Sequence, residues 1–366
     1  MTVTVQASTF VLNIIDLKPF LKNPESPEAL AECAKASNGR SAAEALEKYS
    51  ALAVRDPRVS EDQSSSFLDT MEDYFAQPTE AKLPDARPEF GYQVGVTPEN
   101  TEKPKCGRDE SCNKMVQEMA PENKPLPYDG VDPKWRFFWR IGEAPKETQF
   151  ARLNAAPVVP AAFPQWETVM DTWGTLMHDA VSVLAEMLAV GFGLPRDTFV
   201  KMAKYGPHLL APTGSDLERY GKVGTVLAGF HTDLNFLTIH GRSRFPGLHI
   251  WTRSGTKLLA KVPEGCLLVQ AGKQMEIMTG GATTAGFHEV VVVEDTVKAM
   301  ERQQARGRPL WRISSTLFFH MASDSLLQPI GKFDTAEARE VYPPILTGKQ
   351  VQKELGLISL MDKNTV

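Results

Sequence analysis

Apolar residues recur at helical spacing in the first half of the chain. In 64–77, Phe67, Met71 and Phe75 lie at i, i+4 and i+8, which predicts an amphipathic helix with one apolar face. A longer stripe runs through 163–194 and predicts the longest helix, with apolar positions that are typical of core packing. That stripe consists of Trp166, Met170, Trp173, Met177, Val181, Leu184 and Leu188.

The second half has a different pattern, in which short apolar runs of β character follow one another from about residue 205. Turn sequences rich in Gly, Ser and Pro separate these runs. The runs are VGTVLAGF, NFLTIHG, GLHIW, KLLAKV, CLLVQAG, EVVVVED and WRISSTLFFH. Regularly spaced strands after a helical half predict a β-sandwich or barrel with helices packed on the outside.

Three segments of the first half complete the predicted elements. Residues 10–21 predict a short strand, and residues 26–54 predict an Ala-rich helix that ends in a strand. Residues 78–134 have little periodicity and predict a long loop on the surface or over a cleft. The whole pattern therefore predicts a mainly β protein with flanking helices.

The length of 366 residues allows two domains or one large core. We expect an N-terminal mixed α/β region, 1–150, that contributes to the substrate pocket, and a helix plus core region, 151–330. A C-terminal extension, 331–366, is expected to pack on or over the core, so that the three parts form one compact unit. The hydrophobic content of 42% and the charged content of 23% are typical of soluble globular proteins.

Charge and cysteine content narrow the classes of partner. A net charge of −5 without a long basic run makes nucleic acid and anionic membrane surfaces poor partners. No apolar run reaches the roughly 18 residues of a membrane span, and the N-terminus lacks the features of a secretory signal. We therefore expect a cytoplasmic monomer that acts on a small molecule. The four cysteines, Cys33, Cys106, Cys112 and Cys266, are expected to be free thiols.

Candidate metal ligands lie in AGFHTDLNFLTIHG, residues 228–241. If this segment is extended, His231 and Asp233 project to the same side, because side chains at i and i+2 share a face. A lone histidine more often serves packing, so a metal site needs a third ligand. His288, which follows a Gly-rich turn at the start of a strand, is the best candidate. Two histidines and one carboxylate leave three positions open on an ion, as in the facial triad of non-haem Fe(II) oxygenases.

A candidate anion site follows in WRISSTLFFH, where five residues share one face at period two: Arg312, Ser314, Thr316, Phe318 and His320. A buried arginine is costly unless it meets an anion, and a guanidinium can bind a carboxylate through two parallel hydrogen bonds. Arg312 and Ser314 are expected to bind the distal carboxylate of a dicarboxylate such as 2-oxoglutarate, whose keto-acid end would chelate the iron. A substrate carboxylate is the alternative ligand of Arg312.

The order HTD, distal histidine and RIS resembles the HxD…H…RxS pattern of the 2-oxoglutarate/Fe(II)-dependent dioxygenases, in the branch that contains isopenicillin N synthase. VLNIIDL resembles the opening strand of that family, RLNAAPVVPAAFPQW the segment before its long helix, and GFGLPRDTF the helix exit. GKQMEIMTGGATTAGFHEVVV is similar to the stretch before the second histidine, with some likeness to ethylene-forming enzyme. The resemblance covers residues 10–22 and 150–325.

This resemblance implies a double-stranded β-helix, or jelly roll, whose lumen holds Fe(II) through His231, Asp233 and His288. It implies 2-oxoglutarate bound by Arg312 and Ser314, with O₂ as the second co-substrate and ascorbate as a helpful reductant in vitro. The implied reaction is oxidation of an unactivated C–H bond of a small molecule, by hydroxylation, desaturation or oxidative cyclisation, in specialised biosynthesis.

One departure from the family pattern affects the co-substrate side. Many plant members carry Asn-Tyr-Tyr-Pro-Pro before the HxD, and PHLLAP stands here instead, so a tyrosine that contacts the co-substrate is missing. Five residues are weaker candidates for substrate or co-substrate contacts, with core packing as the alternative: His208, Leu210, Tyr205, Phe236 and Phe318. His240 is expected to be structural, because its position does not share the parity of the ligands.

Three classes of function remain open from the sequence. The first is a 2-oxoglutarate-dependent oxygenase, whose substrate would be an amino-acid-derived carboxylate such as a kainoid precursor. The second is an oxidative cyclase of the isopenicillin N synthase type, which uses no 2-oxoglutarate. The third is a jelly-roll binding or sensor protein without activity, although the intact ligand set argues against it.

Overall fold

The computed structural model of the chain describes residues 12–33, 41–107, 109–358 and 360. The strands in these ranges are β1 (Ile14–Asp16), β2 (Ala51–Arg55), β3 (Gly95–Thr97), β4 (Trp135–Ile141), β5 (His208–Leu210), β6 (Thr213–Asp216), β7 (Val226–Thr232), β8 (Leu237–His240), β9 (Leu248–Trp251), β10 (Lys257–Leu259), β11 (Leu267–Ala271), β12 (Phe287–Val291), β13 (Trp311–Ser314), β14 (Thr316–Phe319), β15 (Leu326–Leu327) and β16 (Ile345–Leu346). Most of the strands therefore follow residue 205, as the apolar pattern predicts.

The helices precede, connect and follow these strands. They are α1 (Lys18–Lys22), α2 (Pro27–Cys33), α3 (Ala42–Tyr49), α4 (Glu61–Phe75), α5 (Thr79–Lys82), α6 (Glu110–Glu118), α7 (Trp166–Gly191), α8 (Thr198–Ala203), α9 (Leu217–Tyr220), α10 (Lys273–Met278), α11 (Glu294–Gln304), α12 (Ala336–Val341) and α13 (Thr347–Leu357). None of these described helices is both long and apolar enough to cross a bilayer.

Two sheets form the core of the fold. The larger sheet has the strand order β1-β2-β11-β8-β14-β5-β4-β6-β13, with β3 paired to β4, and the smaller sheet has the order β10-β9-β12-β7. Apart from the parallel pair β1 and β2, neighbouring strands run antiparallel. Side chains of both sheets line one cavity, which therefore lies inside a jelly roll.

The helix α7 covers the side of the larger sheet that faces away from the cavity. A Cβ atom at Gly174 would lie 2.3 Å from Cδ1 of Ile141 and 3.4 Å from Cδ2 of Leu210, so a larger residue would require the Ile141 side chain to shift. The stripe predicted from the sequence is buried here, with Trp166 and Met170 fully inaccessible. The apolar stripe of α7 is thus core packing, as expected.

The core does not divide at residue 150, because one cluster of buried apolar residues extends from Ile15 to Leu327. Strands β1 and β2 add to the edge of the larger sheet beside β11, so the N-terminal region shares that sheet. At the other end of the chain, α13 packs against Phe150 and Leu153 through Val351 and Leu355.

Three predicted segments differ in detail from the structure. The segment 26–54 forms α2, α3 and most of β2 rather than one helix and a strand, and its residues 34–40 lie outside the described residues, as do residues 10 and 11 of the first predicted strand. The segment 78–134 contains α5, β3 and α6, so it is not a plain loop. WRISSTLFFH is broken at Ser315 into β13 and β14, because the two halves pair with different strands.

The expectation of four free thiols is wrong for Cys106 and Cys112, which form a disulfide. The 3₁₀ turn Lys105–Gly107 folds back onto the start of α6 and brings the two Cα atoms to 5.1 Å, within the usual range for a disulfide. This pairing depends on the turn, which the sequence did not predict. Cys33 and Cys266 are free and buried, as expected.

Candidate metal centre and its cavity

Three potential metal ligands meet at the ends of two neighbouring strands. His231 in β7 is the cross-strand partner of His288 in β12, and Asp233 lies one residue beyond the end of β7. Nε2 of each histidine lies 3.8 Å from Oδ1 of Asp233. The three ligand atoms lie within 4.8 Å of one another, so a single ion can contact all three.

Backbone carbonyls orient both imidazoles in the same way. Nδ1 of His231 lies 2.6 Å from the carbonyl oxygen of Gly229, and Nδ1 of His288 lies 3.2 Å from that of Gly286. A carbonyl can only accept, so both Nδ1 atoms carry the proton and both Nε2 atoms keep a lone pair for a metal. The residue two positions before each histidine therefore sets the tautomer that metal binding requires.

The charge of the ligand set suits a divalent ion. Oδ2 of Asp233 accepts a hydrogen bond of 2.6 Å from the Thr238 hydroxyl, which leaves Oδ1 towards the histidines. Burial opposes ionisation of Asp233, but the two neighbouring imidazoles and this hydroxyl outweigh it and hold the pKa of the carboxyl below its usual value. Burial also lowers the pKa of His231 to about 3, so its imidazole is neutral at pH 7. A carboxylate with two imidazole nitrogens on one side of a cavity fits Fe(II) with open coordination positions.

A buried cation without a partner lies in the same cavity. Arg312 in β13 is 7% exposed. Its Nε has no hydrogen-bond partner, and no ion pair to its guanidinium occurs among the described residues. Burial lowers its pKa to about 10, so the group stays charged at neutral pH. The Ser314 hydroxyl lines the cavity beside it, 3.2 Å from the hydroxyl of Thr316. An uncompensated buried cation indicates an anionic ligand.

The cavity is partly open to solvent, and its space of about 1290 Å³ includes the open mouth. The alternating residues predicted to share one face all line it, namely Arg312, Ser314, Thr316, Phe318 and His320. The C-terminal helix α13 contributes Glu354 and Leu355 to the wall. The candidate metal ligands and the arginine thus share one chamber.

Of the five weaker candidates for substrate contacts, Phe318 lines the cavity and the other four do not. Leu210 is fully buried on the face of β5 that packs against α7. Phe236 packs against Phe199 and Phe319 in the core. The structure therefore corrects the placement of both residues, because their strand faces point away from the chamber.

His208 and Tyr205 also lie away from the cavity wall. His208 is buried behind it, where its ring stacks on Phe319 and its Nδ1 accepts a hydrogen bond of 3.2 Å from the backbone N–H of His320. Tyr205 is 38% exposed and occupies a left-handed conformation with φ of 65°. Neither His208 nor Tyr205 therefore lines the chamber.

Four charged residues that the sequence did not single out line the same cavity as Arg312. Lys134 and Arg136 of the β4 region line the cavity together with Glu102 and Asp132. The sequence signal that could have found them is the period-two spacing of Lys134, Arg136 and Phe138. His240 lines the cavity as well, with its Nδ1 3.1 Å from Oγ1 of Thr316. The parity argument failed for His240, because a turn separates β7 from β8 and resets the alternation.

Comparison with known proteins agrees with this site. The profile of the family described as the 2OG-Fe(II) oxygenase superfamily matches residues 198–321, which include all three ligands and Arg312. Leucoanthocyanidin dioxygenase 1 of Oryza sativa subsp. japonica is 26% identical over 209 residues, which are 54% of this chain and 51% of that protein. The match thus spans about half the length of this curated relative.

Two solved structures share the fold. A 2OG-Fe(II) oxygenase family protein from Caulobacter crescentus superposes with a TM-score of 0.68 and 21% identity, over 95% of this chain and 99% of that one. A full-length Neurospora crassa protein in complex with alpha-KG gives a TM-score of 0.68 and 18% identity, over 94% and 95%. The predicted jelly roll is confirmed, and the profile match to residues 198–321 supports the predicted superfamily and its expected set of Fe(II), 2-oxoglutarate and O₂. The isopenicillin N synthase branch is not singled out and stays a prediction.

Proposed function

Because residues 198–321 match the profile of the 2OG-Fe(II) oxygenase superfamily, we propose that the chain is an Fe(II)- and 2-oxoglutarate-dependent dioxygenase that oxidises a small molecule. The observation that carries this proposal is that His231, Asp233, His288 and the unpartnered Arg312 line the same cavity. A purely structural role would explain neither the convergence of the three potential ligands nor the presence of a buried guanidinium that has no anionic partner.

Each of these residues has a distinct task in the proposed reaction. His231, Asp233 and His288 hold the Fe(II), which when bound supplies O₂ activation coupled to oxidative decarboxylation of 2-oxoglutarate. Arg312 binds the distal carboxylate of 2-oxoglutarate through charge-assisted hydrogen bonds, and the Ser314 hydroxyl donates one more. Phe318 and the other apolar lining residues exclude water and hold the substrate C–H bond in place.

The finer features of the reaction are also proposed. We expect oxidation of an unactivated C–H bond by hydroxylation, desaturation or oxidative cyclisation, in a biosynthetic reaction. An amino-acid-derived carboxylate, such as a kainoid precursor, is the substrate type that we favour. The relatives do not decide the substrate, since one is named for leucoanthocyanidin and the Neurospora crassa protein has been crystallised with thymine. The same fold and iron centre serve many chemistries.

The test is succinate formation by the purified full chain. The protein is loaded with Fe(II) without oxygen, given 2-oxoglutarate and ascorbate, and then exposed to O₂. Slow succinate formation is expected, and His231→Ala should abolish it. His249→Ala is the matched control, because His249 is a buried histidine that does not line the cavity. Iron binding through His231 without any succinate would contradict the proposal and favour a cyclase that uses no 2-oxoglutarate.

A further inference from the structure

A second cationic group lies in the cavity, within a buried cluster of four charged residues. Nζ of Lys134 lies 2.7 Å from Oδ2 of Asp132 and 3.2 Å from Oε2 of Glu102. Nη2 of Arg136 lies 2.5 Å from Oε1 of Glu102. All four residues line the cavity. Lys134 is therefore engaged by two carboxylates, whereas Arg136 contacts one.

Arg136 has donors that the protein does not use. Its Nε is buried and has no hydrogen-bond partner, and the single ion pair to Glu102 employs Nη2. The guanidinium carbon lies 4.0 Å from the centre of the Phe138 ring, which is a cation–π contact. This contact and the ion pair with Glu102 restrain the guanidinium within the cavity. A planar guanidinium of this kind matches the two oxygens of a carboxylate.

The two arginines occupy different positions on the same wall. Strand β6 lies between β4 and β13, and Thr213 is paired with Arg136 on one side and with Ser314 on the other. Arg312 is paired with Ser215, two residues further along β6. Arg136 is thus separated from Arg312 by an intervening strand and by a shift along it. One small dicarboxylate bound to Arg312 and to the metal would leave Arg136 for another ligand.

We propose that Arg136 is a second anion site, which binds the carboxylate of the substrate to be oxidised while Arg312 binds 2-oxoglutarate. Glu102 and Lys134 are positioning residues that fix the guanidinium of Arg136. The substrate is a small carboxylic acid whose apolar part contacts Phe138, Leu209 and Phe318, which line the cavity. The inference rests on the proposed function for the identity of the two ligands, but the anion site itself can be tested by binding alone.

The test compares acids with their uncharged amides. The full chain, loaded with Fe(II) and saturating 2-oxoglutarate without oxygen, is titrated calorimetrically with phenylacetate and phenylacetamide, and with hexanoate and hexanamide. We expect each acid to bind roughly tenfold or more tightly than its amide, as charge-assisted hydrogen bonds require. Arg136→Gln should remove this preference, and Arg136→Lys should restore part of it. Arg140→Gln is the matched control, since Arg140 is a buried arginine of the same strand that does not line the cavity.

Two results would overturn the inference. An equal affinity for acids and amides in the unaltered protein would show that the chamber does not select an anion. An acid preference that survives in Arg136→Gln would show that the cluster is a structural ion-pair network. If Arg136→Gln alone does not fold, the charge-neutral variant Arg136→Gln/Glu102→Gln replaces it. Absence of succinate together with an Arg136-dependent acid preference would refute the proposed function and leave the anion site standing.

Discussion

Replacement of Arg312 by methionine should raise the stability of the ligand-free protein while it abolishes tight binding of 2-oxoglutarate. Burial lowers the pKa of Arg312 from 12.5 to about 10. At about 1.4 kcal/mol for each pKa unit, the charged guanidinium costs the folded state about 3 kcal/mol. Arg312→Met removes that cost and keeps most of the aliphatic contacts of the side chain, so the melting temperature should rise by a few degrees.

The same change removes the partner of the co-substrate carboxylate. Loss of a bidentate, charge-assisted interaction between a guanidinium and a carboxylate in a buried site costs about 2–5 kcal/mol of binding free energy. The Kd of 2-oxoglutarate should therefore rise roughly 10²-fold or more. Calorimetry with the anaerobic Fe(II) protein measures this Kd, and thermal unfolding of the metal-free protein measures stability. The two effects of one substitution therefore have opposite directions.

Arg140→Met is the control for the stability part of this prediction. Arg140 is also buried, but it donates hydrogen bonds to Oδ1 of Asn154 at 2.8 Å and to the carbonyl of Gly206 at 3.0 Å. Its removal leaves buried acceptors unpaired and should lower the melting temperature. If Arg312→Met lowers it equally, the reasoning about an uncompensated charge is refuted. If Arg312→Met binds 2-oxoglutarate as the parent protein does, Arg312 is not the carboxylate site.

Three further predictions follow from single contacts. Thr238→Val removes the hydrogen bond to Asp233 and should weaken Fe(II) binding roughly 10–100-fold in a metal titration, whereas Thr238→Ser should retain it. Ser315→Ala removes the acceptor of the 2.6 Å hydrogen bond from Nε1 of Trp173. This change should lower the free energy of unfolding in urea by about 1–3 kcal/mol, because the buried indole N–H is left unpaired. Adding Trp173→Phe to Ser315→Ala should partly reverse this loss. Burial lowers the pKa of His240 and of His249 to about 4, so the unfolded chain takes up protons first as the pH falls from about 6.5. The free energy of unfolding of the metal-free protein should therefore fall by up to about 1.4 kcal/mol per pH unit for each such histidine between pH 6.5 and 4. Above that window the full stability should be present. A urea midpoint that does not change with pH inside the window would contradict this reasoning.

The alternation of side chains along a strand is local, and it supported the most successful sequence predictions. Arg312, Ser314 and His320 were expected on one face and do line one cavity, even though the strand breaks at Ser315. The spacing of His231 and Asp233 likewise indicated a shared side before any partner strand was known. A period of two follows from backbone geometry alone, so no tertiary information was needed.

The direction in which each strand face points was not available from that pattern. Leu210 faces α7 and Phe236 packs in the core, whereas Phe318 and Arg136 face the chamber, although all four lie on or beside apolar strands. Which face is covered by a helix and which by the second sheet depends on segments that are remote in the sequence. The same limit hid the disulfide, which needs a turn that local spacing does not specify.

The chain by itself thus determined the ligand types, their order and the faces that they share. Only the tertiary structure decided that His288 pairs with His231 across β7 and β12, and that Arg136 lines the same chamber as Arg312. The physical reason is that side-chain periodicity is set by covalent geometry, whereas the contents of a cavity are set by non-local strand pairing and by the burial of apolar surface between layers.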